Sequence, residues 1–251
     1  MTSNSVAENL RMWDQVHAWE EDGDEWKGQA VVCGVPYEDW KQSLVERLIV
    51  PYLPQGAAAM EIAPGHGRWT GYLGERAGRL VLVDLSPSCL EHCRRRYGDR
   101  FALETHVTDG SSLPAGLDGQ LDLVWSFDSF VHIHPRDIAK YLREFHRVLK
   151  PGGMAVIHHA NRFHYTLWLA GIRKWGPQWT YLYRVLSIGA QERLDGWRSP
   201  ISGKVFSRLA REAGLEVVEQ FQRWGEGGRY GVPRHNDLVT VMRKPAGPAQ
   251  P

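Results

Sequence analysis

Histidine and aspartate side chains gather just after two apolar segments in the second half of the sequence. Asp128 and His132 follow one of these segments, and His158 and His159 end the next. If the two segments are neighbouring parallel strands, their ends meet at one edge of a sheet. Imidazole and carboxylate groups that converge there predict proton transfer, and metal binding is the competing use of the same side chains.

A glycine-bearing turn earlier in the chain has the spacing of a ligand-binding loop. Glu61 stands near the end of a short apolar segment, and Gly65 and Gly67 follow before the next helical pattern. A turn with few side chains lets a ligand reach the backbone, and a new helix points free N–H groups at that ligand. The dinucleotide fingerprint G-x-G-x-x-G is incomplete, because Thr70 takes its third glycine position. The pattern acid-x-Gly-x-Gly-x-Gly fits better, with Ala63 in place of its first glycine.

Two further carboxylates stand at the ends of apolar runs. Asp84 closes the run LVLVD, where it can accept hydrogen bonds from two vicinal ribose hydroxyls. Its alternative role is to stabilise the N-terminus of the helix that begins near Ser86. Asp109 precedes Gly110 in a turn, where its carboxylate could accept from an adenine amino group.

The order of these segments predicts an α/β fold. Apolar runs alternate with helical spacings, which is typical of a doubly wound, mostly parallel sheet with right-handed crossovers. A closing antiparallel hairpin brings the number of strands to seven. We predict strands at residues 57–62, 80–84, 101–107, 121–127, 154–158, 215–224 and 238–243, and helices at 39–53, 68–77, 86–97, 135–149 and 205–213.

Aromatic residues are concentrated outside this alternation. Four of the 11 tryptophans lie in residues 1–56, which we interpret as a helical N-terminal cover. Four more lie in residues 162–199, which predict a helical insertion over the ligand side of a core spanning residues 57–245. We expect the tail, residues 246–251, to be disordered.

Composition excludes several classes of protein. The net charge of +1 and the lack of a basic stripe disfavour a nucleic-acid-binding protein. Three cysteines do not suggest a disulfide framework, and they lack the second Cys or His pair that a zinc site needs. The N-terminal residues lack the apolar centre of a signal peptide, and no apolar run is long enough to span a bilayer. We therefore expect a cytoplasmic protein without membrane contact, and the sequence does not predict an oligomeric state.

Taken together, these markers resemble the class I S-adenosylmethionine (SAM) dependent methyltransferases over about residues 57–160. The resemblance rests on the glycine turn, on Asp84, on Asp109-Gly110, on the strand that ends at Phe127, and on the sequence LKPGG after a helix. It implies SAM as cofactor. The implied contacts are Glu61, Ala63, Gly65, Gly67 and Arg68 to the methionine part, Asp84 and Leu85 to the ribose, Asp109 and Gly110 to the adenine, and Ser126 and Phe127 to the floor of the site.

A finer resemblance concerns the acceptor of the methyl group. The sequences EIAPGHGRWT, SFDSFVH and IHHAN are similar to those of bacterial methyltransferases of glycan and sugar-containing natural-product biosynthesis. This implies a small-molecule acceptor, such as a sugar or a glycosylated metabolite. Methyl transfer to a hydroxyl requires loss of its proton, so we predict His132 as general base, with Asp128 or His159 orienting it or binding the acceptor. Alternatively, His132 caps the helix that begins near Pro135.

Other functions remain open at the level of sequence. An amino sugar nitrogen is an alternative acceptor that needs less help from a base. A divalent ion on His132, His159 and either Asp128 or Asp237 would acidify a hydroxyl, but magnesium prefers oxygen ligands and we expect no metal. Thr70 disfavours a NAD-type oxidoreductase, and the density of histidines disfavours a non-enzymatic nucleotide-binding protein.

Overall fold

A central sheet organises the protein in a computed structural model that describes residues 5–162 and 198–246. The sheet has seven strands. The predicted insertion at residues 162–199 lies almost wholly outside the described residues, as does the predicted tail from residue 247 onward. The doubly wound, mostly parallel sheet predicted from the sequence is confirmed.

Five parallel strands form the larger part of this sheet. Their inner members are continuous apolar runs, as expected for strands covered on both faces. The parallel strands are β1 (Ala58–Ile62), β2 (Arg79–Asp84), β3 (Leu103–Val107), β4 (Leu121–Ser126) and β5 (Leu149–His159). The order reverses between β1 and β4, and such a switch point is where α/β sheets bind ligands.

Two antiparallel strands complete the sheet beside β5. Strand β9 (Leu238–Arg243) pairs with β5, and β6 (Glu216–Phe221) pairs with the other edge of β9. The order across the sheet is thus β3-β2-β1-β4-β5-β9-β6, and the start of β9 lies at the same edge as the end of β5. A separate hairpin joins β7 (Arg223–Trp224) to β8 (Tyr230–Gly231).

Helices cover both faces of the sheet. The core helices are α4 (Thr70–Gly74), α5 (Pro87–Tyr97), α6 (Pro135–Val148) and α7 (Gly203–Glu212). Proline at the first helical position and a side-chain cap fix the starts of α5 and α6, where Ser86 and His134 are the capping residues. Helices α6 and α7 pack on one face of the sheet with a continuous apolar cluster.

The N-terminal region packs on the opposite face. It contains α1 (Val6–Leu10), a π-helical segment (Arg11–Val16), α2 (Gly28–Cys33) and α3 (Tyr37–Leu44), which continues as a π-helical segment (Val45–Ile49). Trp40 and Leu44 of α3 are fully buried and join Leu82 and Trp125 of the sheet in one cluster. The cover and the core thus share a hydrophobic core.

Several elements differ from their predicted bounds, and three of the differences have a clear local cause. Helix α4 is shorter than the predicted 68–77, because residues 65–69 remain in the turn and Gly71 and Gly74 weaken the helix. Strand β5 begins at Leu149 rather than at residue 154, since the chain enters the sheet directly after α6. Strand β6 ends at Phe221, and the following residues form the separate hairpin instead.

Candidate active site

A cavity of about 310 Å³ lies at the edge of the sheet where the parallel strands end, beneath the N-terminal region. The sheet order divides its lining into two parts. We call the part after β1, β2 and β3 the cofactor end, lined by Gly65, Asp84, Leu85 and Gly110. We call the part after β4 and before β9 the acceptor end, lined by Asp128, His132, Arg198, Arg234, His235 and Asp237.

The glycine turn meets the cavity through only part of its length. Ala63 and Gly65 line the cavity, and both have a φ of +56°. Ala63 thus adopts a left-handed conformation that normally favours glycine, which is the residue expected at this position of the motif. The Trp19 ring packs directly on Gly65, where a Cβ would lie 2.5 Å from the ring. Gly67 instead faces Tyr97, where a Cβ would lie 2.6 Å from the ring, so glycine at this position lets the turn pack against Tyr97.

Asp84 presents a buried carboxylate to the cofactor end. Its Oδ1 accepts from the backbone nitrogen of Ser86 at 2.9 Å, and its Oδ2 lies 3.4 Å from the backbone nitrogen of Gly65. Burial raises the pKa of Asp84 to about 6. The hydroxyl of Ser86 caps α5, so capping does not consume the carboxylate. The remaining lone pairs of the Asp84 carboxylate can accept hydrogen bonds from the two hydroxyls of a ribose.

Glu61 lies beneath the turn and is not part of the cavity lining. Its carboxylate accepts from the Thr70 hydroxyl at 2.6 Å, and burial raises its pKa to about 8. The bond ties β1 to the start of α4. The predicted contact of Glu61 with the cofactor remains a prediction, because the structure places its carboxylate against protein.

The loop after β3 contributes backbone and apolar surface. The Asp109 carboxylate accepts from the backbone nitrogens of Ser111 and Ser112, both at 2.8 Å, and so closes the turn. Gly110, with a φ of +81°, lines the cavity beside Leu85. A Cβ at Gly110 would approach Val6 of the N-terminal region within 3.0 Å, so glycine permits this close packing.

The end of β4 supplies the floor of the cavity. Phe127 lines the cavity and stacks on His158 with ring centroids 4.3 Å apart. Ser126 is fully buried, and its hydroxyl donates to the backbone oxygen of Ile62 at 2.9 Å. Ser126 therefore joins β1 to β4 and is not part of the lining.

Arg68 is buried between two carboxylates. Its guanidinium lies 3.1 Å from Oδ1 of Asp24 and 2.7 Å from Oδ2 of Asp128. Lys41 forms a second ion pair with Asp24. Arg68 thus anchors the N-terminal region to the strand end that carries Asp128, and its predicted contact with the methionine part stays a prediction.

A buried ionic chain runs across the acceptor end. Nδ1 of His158 lies 3.1 Å from Oδ1 of Asp128, and Nε2 lies 3.4 Å from Oδ2 of Asp237. The second contact has ion-pair distance without hydrogen-bond alignment. Asp237 in turn binds Arg198.

The two carboxylates fix the charge states in this chain. Burial opposes the cation, but Asp128 and Asp237 raise the pKa of His158. Burial opposes the anion too, yet the hydrogen bond to His158 and its charge, with that of Arg68, hold the pKa of Asp128 well below its ordinary value. Asp128 is therefore a poor proton acceptor at neutral pH and is suited to binding or orienting.

His132 and His159, predicted to act together, lie in different surroundings. His132 lines the cavity, half-buried, with its ring centroid 5.2 Å from that of Trp13. The cap of α6 is His134, whose Nδ1 accepts from the backbone nitrogen of Arg136 at 3.2 Å. The alternative that His132 caps this helix is thus not what the structure has.

His159 faces the other side of the sheet from His158, as alternate residues of a strand do. Its ring stacks on Phe206 at 3.8 Å, and its Nε2 lies 2.7 Å from the Thr240 hydroxyl. Burial lowers the pKa of His159 to about 4. The structure does not bring His159 to the cavity, so we do not assign it a role beside His132. The alternation of β5 was the signal that could have favoured His158.

The N-terminal region closes the cavity with aromatic side chains that sequence reasoning did not assign individually. Trp13, Trp19 and Trp26 line the cavity. Asp14 accepts from the hydroxyls of Ser86 and Ser88 at 2.6 and 2.8 Å, next to Asp84.

In the described residues, no group of three His, Cys, Asp or Glu side chains is arranged to hold a metal ion. No helix within these ranges is long and apolar enough to cross a bilayer.

Comparison with known families identifies the central part of the chain. Residues 59–153 match the family model described as a methyltransferase domain. These residues run from β1 into β5 and carry the glycine turn, Asp84 and Gly110. Over this segment the chain is therefore similar to methyltransferase domains, in agreement with the resemblance drawn from the sequence.

Two curated relatives cover the same part of the chain. The dimethylglycine N-methyltransferase of Parasynechococcus marenigrum (strain WH8102) is 37% identical over 109 residues, which are 41% of this chain and 38% of that protein. The methyltransferase GfsG of Streptomyces halstedii is 31% identical over 125 residues, 48% of this chain and 42% of that protein. The chain thus spans less than half the length of either relative.

A solved structure extends the likeness over most of the fold. The N-methyltransferase NodS of Bradyrhizobium japonicum WM9, in complex with S-adenosyl-L-homocysteine (SAH), superposes with a TM-score of 0.58. The alignment covers 84% of this chain and 88% of that chain, at 17% identity. At this identity the likeness shows the fold.

Proposed function

We propose that the protein transfers the methyl group of SAM to a small polar acceptor, and that the cofactor end described above holds its nucleoside. When bound, SAM supplies an activated methyl group on a sulfonium. Asp84 would accept from the ribose hydroxyls, while Leu85 and Gly110 would lie against the base. A cavity of about 310 Å³ lies within the range of small-molecule sites.

For a hydroxyl acceptor such as a sugar, His132 is the proposed general base. The observation that carries this assignment is that His132 lines the same cavity as Asp84, while His134 takes the capping role. A neutral imidazole has a free nitrogen that can take a hydroxyl proton as the new bond forms. Arg68 and His158 hold Asp128 ionised. The Asp128 carboxylate would then position the acceptor by accepting hydrogen bonds from the hydroxyls of the acceptor.

An amine acceptor is the second candidate, and the aromatic lining favours it. Trp13, Trp19 and Trp26 turn toward the cavity, and indole faces stabilise cationic amines. The similarity to a dimethylglycine N-methyltransferase supports the same class of acceptor. An amine that attacks as its free base needs no strong general base. His132 would therefore matter less at high pH, where the amine is already deprotonated.

The test of this proposal begins with the cofactor and then separates the two acceptors. Calorimetry with SAH measures cofactor binding directly, and absence of binding would contradict the proposed function as a whole. Turnover of labelled SAM is then followed on a panel of hexoses, amino sugars and N,N-dimethylglycine, with products identified by mass spectrometry.

The matched pair His132→Asn and His134→Asn tests the base. For a hydroxyl acceptor we expect His132→Asn to lower kcat by about 10²- to 10⁴-fold with SAH affinity unchanged. His134→Asn should retain activity, because asparagine is a good N-cap. Equal activity of the two variants on a hydroxyl acceptor would remove His132 from its role. A loss that disappears at high pH would identify the amine.

A further inference from the structure

The acceptor end of the cavity contains more arginine than its carboxylates neutralise. Asp128 forms an ion pair with Arg68, which also pairs with Asp24, and Asp237 forms an ion pair with Arg198. The buried ring of His158 lies between these two carboxylates. Their charges are therefore satisfied within the protein, before any ligand is present.

Arg234 also lines this end, and it has no ion pair among the described residues. It lies in the turn between β8 and β9, three residues before Asp237, so the turn carries it to the strand edge where β4 and β5 end. Arg234 is exposed to solvent. An arginine in such a place has its full set of donors available to a ligand.

Two contacts with α2 hold Arg234 in position. Its backbone nitrogen donates to Oε1 of the buried Gln29 side chain at 2.9 Å. Its guanidinium lies directly over Gly28, where a Cβ atom would overlap it. Gly28 itself lines the cavity, so the missing side chain leaves a groove through which the guanidinium reaches the lining. Because α2 contacts both its backbone and its guanidinium, Arg234 differs from an arginine on an open surface.

We propose that Arg234 forms an anion subsite that binds a carboxylate or phosphate group on the acceptor. A guanidinium offers paired donors that match both groups. Electroneutrality supports the assignment, because the neighbouring carboxylates already have cationic partners. The inference rests on the proposed function and deepens it: the acceptor would be an acidic small molecule, with its reacting atom near His132 and its anionic group at Arg234.

Arg229 provides a matched control on the same β7–β9 segment. It is also exposed, but it lies against Tyr230, with its guanidinium carbon 5.5 Å from the ring centroid, and is not part of the cavity lining. Gly28→Ala provides a second, independent variant. It keeps the charge of Arg234 but displaces the guanidinium, whose flexible end can move aside.

The experiment uses the full chain saturated with SAH, with sodium acetate and inorganic phosphate as probes at constant ionic strength. Calorimetry measures binding of each anion to wild type and to Arg234→Gln, Gly28→Ala and Arg229→Gln. We expect saturable millimolar binding of one or both anions, weakened about tenfold by Arg234→Gln and by Gly28→Ala. Arg229→Gln should stay within twofold of wild type. The preferred probe distinguishes a carboxylate from a phosphate subsite.

The possible outcomes separate this proposal from the proposed function. If SAH binds but neither anion does, the subsite is wrong and the cofactor assignment stands. Equal weakening by Arg229→Gln and Arg234→Gln would show diffuse attraction and also contradict the subsite. If Arg234→Gln weakens SAH itself, the guanidinium serves the cofactor and the acceptor assignment is wrong.

Discussion

At the scale of single residues, Asp84 links the cofactor end to pH. Burial raises its pKa to about 6, so the isolated protein holds this proton at a pH where an exposed aspartate has lost it. A raised carboxyl pKa means that folding favours the protonated form, so its contribution to stability is present at low pH and is lost as pH rises from about 4 to 6. A ligand that donates hydrogen bonds has the opposite preference, since it favours the carboxylate.

We therefore expect SAH affinity to fall about tenfold for each pH unit below 6, as the carboxylate becomes protonated. Asp84→Asn should weaken SAH binding at neutral pH and remove most of this pH dependence. The measurement is calorimetric titration between pH 5 and 8, with the exposed Asp99→Asn as control. A wild-type affinity that stays flat from pH 5 to 8 would contradict the role of Asp84.

At the scale of elements, the π-helical segment of the N-terminal region docks on the start of α5. Asp14 accepts from Ser86 and Ser88, and the hydrogen bond from Ser86 is the main cause that lowers the pKa of Asp14. A carboxylate at this position also meets the positive end of the helix. Because Ser86 is two residues from Asp84, this contact closes the N-terminal region over the cofactor end.

Asp14→Ala should weaken the docking of the π-helical segment on the start of α5. We expect SAH to bind about tenfold more weakly and to dissociate faster, because loss of two charge-assisted hydrogen bonds favours the undocked segment. Asp14→Asn keeps one acceptor oxygen, so its SAH affinity and dissociation rate should lie between those of wild type and Asp14→Ala. Stopped-flow tryptophan fluorescence measures the dissociation rate, with the exposed Glu20→Ala as control. Dissociation as slow as in wild type would mean that the segment does not gate the cofactor.

At the scale of the whole molecule, local patterns and long-range contacts were predictable to different degrees. The alternation of strands and helices, the position of Asp84 and the Gly110 turn followed from runs of apolar residues and the residues that end them. The ion pairs of Arg68 with Asp24 and of Arg198 with Asp237 did not, because each joins segments far apart in the chain. The orientation of β5 was also missed: its alternation decides that His158, and not His159, faces Asp128.

The shared core has a consequence for how the chain unfolds. Trp40 of α3 is fully buried, donates from Nε1 to the backbone oxygen of Gly231 at 2.8 Å, and packs near Phe127 of the cavity floor. The N-terminal region therefore stabilises the same cluster as the strands. Such packing predicts that cover and core unfold together.

We expect differential scanning calorimetry of the full chain to give one transition, with equal calorimetric and van't Hoff enthalpies. SAH at 100 times its Kd should raise Tm by about 5–10 °C, since about 2.7 kcal/mol of binding free energy is added to one cooperative unit. Trp40→Ala removes about 3–5 kcal/mol and should lower that single Tm by about 10 °C. Val31→Ala, at a side chain 75% exposed in α2, should shift it by less than about 2 °C. Two separate transitions, of which SAH moves only one, would mean that cover and core are independent.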